Sequence, residues 1–214
     1  MSDYEIQEFE IDIDDLFKNV TKNVKKATKD FEDLLNYKAS LDREILLGDI
    51  EYGPGSDVDA IIRFWNKYDE VHNTPIEKRQ PIKIYIDSAG GSLTDTLTII
   101  DAIKMSKTPV WTIATGMAYS GGFFSFIAGH KRIAYSHTSF LFHEGSASNG
   151  GTSGQFENYT QFYKKQLKQL EDKVLENTKI TAEEYQKIKR DDIWYDAQEA
   201  LEKGIIDEIA EEFA

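Results

Sequence analysis

Apolar positions in the first forty residues recur at spacings of three and four: Leu16, Phe17, Val20, Val24, Ala27, Phe31, Leu34 and Leu35 interrupt Lys- and Asp-rich sequence. That period predicts an amphipathic helix whose stripe packs on the main body or on a sister subunit. From Leu41 the pattern becomes short apolar runs alternating with helical stretches. Glu44-Ile-Leu-Leu-Gly48, Ile82-Lys-Ile-Tyr-Ile86 and Val110-Trp-Thr-Ile-Ala114 read as strands, and Arg132 to Tyr135 and Ser139 to Phe142 as two shorter ones. Gly53-Pro54-Gly55 predicts a turn, and a second, glycine-flanked turn is expected after Ala114. Between the strands, Ala60, Ile61, Phe64, Trp65, Tyr68 and Val71 keep helical spacing, as do Leu93, Leu97, Ile100 and Ile103, and Phe123 to Ala128 is an apolar helical segment. Strands alternating with helices are the pattern of parallel crossover units.

A Gly/Ser-rich loop from Gly145 to Gly154 precedes a long helix from Gln155 to Asn177, with Phe156, Tyr159, Phe162, Tyr163, Leu167, Leu170 and Val174 on one stripe. Two closing helices are signalled by their caps, Thr181 with Glu184 and Asp196 with Glu199, and Gly204 stops the second. With no internal repeat and no shift in composition after residue 41, the division is a helical extension over 1–40 and one α/β domain over 41–214.

Charge and composition narrow the function. In 214 residues, 38 acids stand against 25 bases, a net charge of −13, with no basic stripe to neutralise phosphates, so nucleic acid is not the expected partner. With no cysteine, thiolate metal sites, disulfides and a cysteine nucleophile are excluded. The acidic start, Met1 to Asp15, does not resemble a secretory signal, and no apolar run approaches the ~20 residues of a membrane span. A soluble, cytoplasmic protein is expected.

Polar groups gather at three predicted strand ends, where open parallel sheets hold their sites. In Ile86-Asp-Ser-Ala-Gly-Gly-Ser92 two glycines let backbone N–H groups approach an anion or oxyanion, although a plain tight turn needs the same residues. In Gly116-Met-Ala-Tyr-Ser-Gly-Gly122, Ser120 opens a helix, either as a nucleophile with the Gly121 N–H beside it or as a simple helix cap. His143 closes an apolar strand and suits a general base, in competition with His72, His130 and His137. A carboxylate to orient the imidazole is offered by Asp191 or Asp192, next to aromatic residues able to bury one of them.

Together these stretches resemble the proteolytic subunit of the Clp protease family from about Leu41 to Ile209. Asp42-Arg-Glu-Ile-Leu-Leu-Gly48 resembles its first-strand motif, Ile86-Asp-Ser-Ala-Gly-Gly-Ser92 its Asn-Ser-Pro-Gly-Gly loop, and Gly116-Met-Ala-Tyr-Ser-Gly its nucleophile turn. Ala197-Gln-Glu-Ala200 and Gly204-Ile-Ile-Asp207 resemble its closing helix and strand. The resemblance implies a Clp/crotonase-type α/β fold and a serine endopeptidase without metal or organic cofactor. It implies Ser120 as nucleophile, His143 as base, Asp192 as orienting carboxylate, Gly90 and Gly121 as oxyanion donors, and Gly91, Leu93 and Gly145 at the peptide groove. Implied partners are peptide or unfolded-protein substrates, copies of the chain in heptameric rings stacked as a tetradecamer, and an AAA+ unfoldase. The long helix resembles the handle joining such rings.

The chain departs from the motif at Ala89 for proline, Asp87 for asparagine, Glu144-Gly145 for Gln-Pro, and Arg190-Asp191 for the inverse order at the ring-to-ring contact. Asp87 is expected to add a negative charge near the site. Such departures also resemble phage-encoded or accessory members, including those that trim capsid precursors. Rival readings are a catalytically silent ring subunit or scaffold, and a crotonase-type acyl-CoA enzyme using the same oxyanion donors.

Overall fold

In the computed structural model, the described residues are 35–213 apart from Ala147, together with Lys26, Lys29 and Asp33. Residues 35–41 are helical, and the remainder of the N-terminal stripe lies outside the described residues.

Parallel pairing organises the sheet. β1 (Glu44–Leu47), β2 (Ile82–Ser88), β3 (Val110–Tyr119), β4 (Lys131–Ala134) and β7 (Glu208–Ile209) lie side by side in that order. On β2, Ile82, Ile84, Ile86 and Ser88 all point to the buried face, as the period-two geometry of a strand requires. Helices cross between the strands: α1 (Pro54–Val71), α2 (Leu93–Met105) and α3 (Gly121–Ile127), whose residues are all buried. Ile99 and Ile103 of α2 and Phe123 and Phe126 of α3 pack with the β2 isoleucines in one core, each such side chain contributing about 1.5–3 kcal/mol by leaving water.

Two expected turns are resolved differently. Pro54 begins α1 instead of belonging to a free turn, since its missing N–H and fixed φ suit a first helical position. The strand expected to end at Ala114 continues as β3 to Tyr119, because its second half finds new partners. From Val110 to Ala114, β3 pairs with β2 and β4; from Met117 to Tyr119 it pairs with β5 (Ser139–Phe142). β5 pairs in turn with antiparallel β6 (Ile193–Asp196). The sheet thus forks at β3, and the fork brings the ends of β3 and β5 beside the start of β6.

The long helix is α4 (Ser153–Asn177), opened by a capping box between Thr152 and Gln155. α5 (Ala182–Ile188) is capped by Thr181 and α6 (Ala197–Glu202) by the Asp196–Glu199 capping box. At the opposite end of the sheet Arg43 makes two hydrogen bonds to Asp69 (2.6 and 2.9 Å) and stacks over Trp65, while the Thr108 hydroxyl also donates to Asp69. Asp69 is only 2% exposed, and the Arg43 guanidinium holds its carboxyl below the usual range.

Candidate active site

β2 runs into the Ala89–Ser92 loop, β3 leads into Ser120 and β5 leads into His143, and all three ends open on a cleft of about 600 Å³. α4 closes its far side with Tyr159, Phe162 and Tyr163. Gly91, Leu93, Ser120, Gly121, His143, Glu144 and Gly145 lie along the wall.

Ser120 sits at the junction of β3 and α3 with φ +52° and ψ −119°, a left-handed conformation that costs a non-glycine residue roughly 1–3 kcal/mol. Its N–H donates to Leu141 O on β5 (3.0 Å) and its C=O accepts from Phe124 N–H (3.1 Å), so both strand and helix hold it in place. Its hydroxyl makes no capping hydrogen bond, so the helix-cap role weighed from sequence is not realised.

The double glycine is demanded by close approach. A Cβ on Gly90 would lie 2.7 Å from both Ser120 Cβ and Gly121 N, and one on Gly91 would lie 1.9 Å from Ile50 O. Both have positive φ, +98° and +143°. The expected donor pair, Gly90 with Gly121, meets an obstacle: the Gly90 N–H already donates to buried Ser88 Oγ (3.0 Å). The next residue is the free one. Ile50 forms an isolated parallel bridge with Gly91, bonding to Gly90 O and to Ser92 N–H. In such a ladder the intervening residue turns its own N–H away from the partner strand. The Gly91 nitrogen therefore lies on the Gly121 side, 3.3 Å from where a Gly121 Cβ would stand.

His143 and Asp192 meet through strand register. β5 and β6 pair Phe142 with Ile193, so the next residue on one strand and the preceding one on the other face each other. His143 Nδ1 lies 3.5 Å from Asp192 Oδ1. His143 Nε2 is buried and has no hydrogen-bond partner. The competitors are elsewhere: His72 bonds to Tyr68 O and stacks on its ring, His130 Nδ1 accepts from Val110 N–H, and His137 is exposed in the β4–β5 turn. Asp191 closes a turn through its N–H to Ile188 O. The aromatic neighbours do not bury Asp192, whose side chain is 68% exposed; Trp194 instead packs edge-on against Tyr119.

Asp87 does not put its charge in the cleft. Its carboxylate accepts from Met117 N–H (3.0 Å) where β2 and β3 slip register. The acid that does line the wall is Glu144, and burial followed by the Glu144 charge pushes the Tyr163 hydroxyl pKa up.

Sequence reasoning missed the acids that hold the loops behind the site. Asp95 accepts from the Ser92 hydroxyl (2.7 Å) and from the N–H groups of Gly53 and Gly55 (3.0 Å each), and the Ser92 bond leads the effects that hold its pKa down. Asp49 accepts from Ala89 N–H at 2.7 Å. The Ser92–Asp95 cap is a short-range pair, three residues apart, that the sequence displays; the Asp95 bonds to Gly53 and Gly55 and the Asp49 bond to Ala89 have no sequence signal, because each joins residues about forty positions apart. Among the described residues no group of three or more His, Asp or Glu side chains is arranged to hold a metal ion.

The family model described as Clp protease matches residues 74–213, from before β2 through β7. The chain is 33% identical over 132 residues to the ATP-dependent Clp protease proteolytic subunit 2 of Corynebacterium diphtheriae, covering 61% of this chain and 66% of that protein. It is 34% identical over 139 residues to the protein of the same name from Prochlorococcus marinus, covering 62% and 67%. A longer alignment, 31% identical over 175 residues, joins it to the ATP-dependent Clp protease proteolytic subunit of Lactococcus lactis subsp. cremoris, covering 79% and 84%. The chain thus spans about two thirds of the length of the first two relatives.

Proposed function

Because this chain belongs to the Clp protease family, we propose that it is a serine endopeptidase acting through Ser120, His143 and Asp192 within a ring-shaped homo-oligomer. The observation that most supports this reading is the uncapped, left-handed Ser120 sharing one cleft with a histidine whose buried Nε2 has no hydrogen-bond partner.

The chemistry follows from which atom faces which. With Nδ1 turned to Asp192, the ring carries its proton there and Nε2 is left as the base. Ser120 Oγ attacks the peptide carbonyl carbon while its proton passes to His143 Nε2. The resulting oxyanion takes hydrogen bonds from Gly121 N–H and from Gly91 N–H, the donor that replaces the expected Gly90. Collapse breaks the C–N bond, and Nε2 returns the proton to the leaving amine. Water, deprotonated by the same nitrogen, then attacks the ester on Ser120 and releases the acid. The open His143 contacts are those of a resting site, since catalytic hydrogen bonds commonly tighten only when substrate is bound.

An extended peptide fits along Gly91–Leu93 and Gly145, adding main-chain bonds in the manner of a strand. Phe156 and Phe162 project from α4 largely exposed, an apolar stripe that a second copy covers where rings stack. Stacked heptamers and an ATP-driven unfoldase partner complete the proposal. A soluble location is consistent with the described helices, none of which is long and apolar enough to cross a membrane. The second reading is a catalytically silent ring subunit, in which the 3.5 Å His143–Asp192 separation persists with substrate bound.

A fluorophosphonate probe followed by intact mass decides between them. One adduct on the native protein, absent in Ser120→Ala and His143→Ala, together with hydrolysis of a fluorogenic peptide, is the expected result. A folded, oligomeric protein that neither labels nor cleaves would establish the silent subunit.

A further inference from the structure

We propose that Asp49 is a positioning residue for the oxyanion donors, its carboxylate setting the Ala89–Ser92 loop so that the Gly91 N–H faces Ser120. The inference rests on the serine peptidase reading for its consequence in catalysis, but its geometric content stands on the loop alone.

The loop is held from one side only. Asp49 Oδ1 takes the Ala89 N–H at 2.7 Å, and the next residue, Ile50, donates to Gly90 O at 2.7 Å and accepts from Ser92 N–H. Gly90 N–H is turned inward to Ser88 Oγ. Between Ala89 and Ser92, every backbone N–H except that of Gly91 therefore has a fixed partner, which leaves Gly91 as the free donor beside Gly121. The backbone of Ile50 anchors the end of this stretch and Asp49 anchors its beginning.

The anchor at the beginning is needed because the stretch is soft. Gly90 and Gly91 accept a wide range of φ and ψ, and Ala89 before them adds no ring constraint. Without the Asp49 bond, rotation about Ala89 tilts the Gly90–Gly91 peptide, whose carbonyl is then held by the Ile50 N–H alone, and the Gly91 N–H in the same plane turns with it. A displacement of the order of 1 Å in a donor aimed at a developing charge is costly to rate. Both Asp49 and Ala89 are exposed, so water replaces the lost bond and overall stability changes little. Loss of rate without loss of stability separates positioning from a merely structural role.

The test uses the full-length oligomer. Asp49→Ala is expected to lower kcat for a fluorogenic peptide and the rate of fluorophosphonate labelling by roughly 10- to 100-fold, with KM within about twofold and the urea midpoint little changed. Asp49→Asn, whose amide oxygen still accepts the Ala89 N–H, is expected to retain most activity. The pair Asp49→Ala with Ala89→Pro is expected to recover rate, because the ring fixes φ at position 89 and removes the N–H left without a partner. Unchanged kcat in Asp49→Ala, or an equal loss in Asp49→Asn, would overturn the inference. If the native protein neither labels nor cleaves, the peptidase reading fails, and positioning is read instead from amide hydrogen exchange. Faster exchange across Ala89–Ser92 in Asp49→Ala upholds it, and unchanged exchange overturns it.

Discussion

His143 Nδ1 and Asp192 Oδ1 stand 3.5 Å apart across the open end of the β5–β6 ladder, close enough for charge to act and too far for a strong hydrogen bond. The antiparallel register brings the two residues together, but Asp192 reaches the ring from a largely exposed position.

Asp192→Asn is expected to lower kcat by roughly 10²- to 10⁴-fold while the protein remains folded, because the amide presents the wrong partner to the ring and stabilises its cation poorly. Peptide hydrolysis on the intact oligomer measures this. A change under twofold would mean that Asp192 does not orient His143.

Gly91→Ala tests the close approach behind the cleft. The added carbon meets the Ile50 carbonyl at 1.9 Å, a backbone atom unable to move aside, and φ is +143°. Urea unfolding is expected to register a loss of about 2 kcal/mol or more, with the strained conformation and the displaced Ile50 bridge both contributing.

Asp69→Asn probes the buried pair beneath β1. Removing the charge leaves Arg43 facing a neutral group in a nearly dry site, with an expected cost of about 3 kcal/mol at neutral pH. The Asp69 pKa is depressed by Arg43, so its contribution is present above the unfolded carboxylate value of about 3.9 and is lost as pH falls through the lower folded value. The difference between native and variant urea midpoints should therefore close in acid, and a constant difference down to pH 2 would contradict the assignment.

His130 works at a higher pH. Its Nδ1 accepts from Val110 N–H at 2.9 Å, which requires an unprotonated nitrogen, and burial pushes the imidazole pKa down. Stability from this contact is full above the unfolded value of about 6.5 and declines as pH drops through the lower folded one. In His130→Asn, unfolding midpoints should vary less between pH 7 and 5 than in the native chain. An identical pH profile would show that the ring does not titrate in this way.

Local pattern was enough for most elements and for placing polar side chains at strand ends. The period of two in Ile82–Ile86, the stripe of α4 and the caps at Thr181 and Asp196 are short-range consequences of backbone geometry, and they appear where expected. The extension of β3 to Tyr119 was not legible, because Gly116 reads as a break until β5 supplies a partner beyond it. The choice of Ser120, His143 and Asp192 from the side chains on offer came from resemblance to a motif, since no periodicity distinguishes His143 from His137.

The sequence by itself determined that strands alternate with helices, that a double glycine and a serine stand at strand ends, and that no thiol takes part. Tertiary structure alone decided which glycine has a free N–H, which histidine faces an acid, and that Asp49 and Asp95 hold the loops. These are contacts across about forty residues or between neighbouring strands. Their partners are selected by register and by where the sheet forks, quantities that do not exist until the chain has folded.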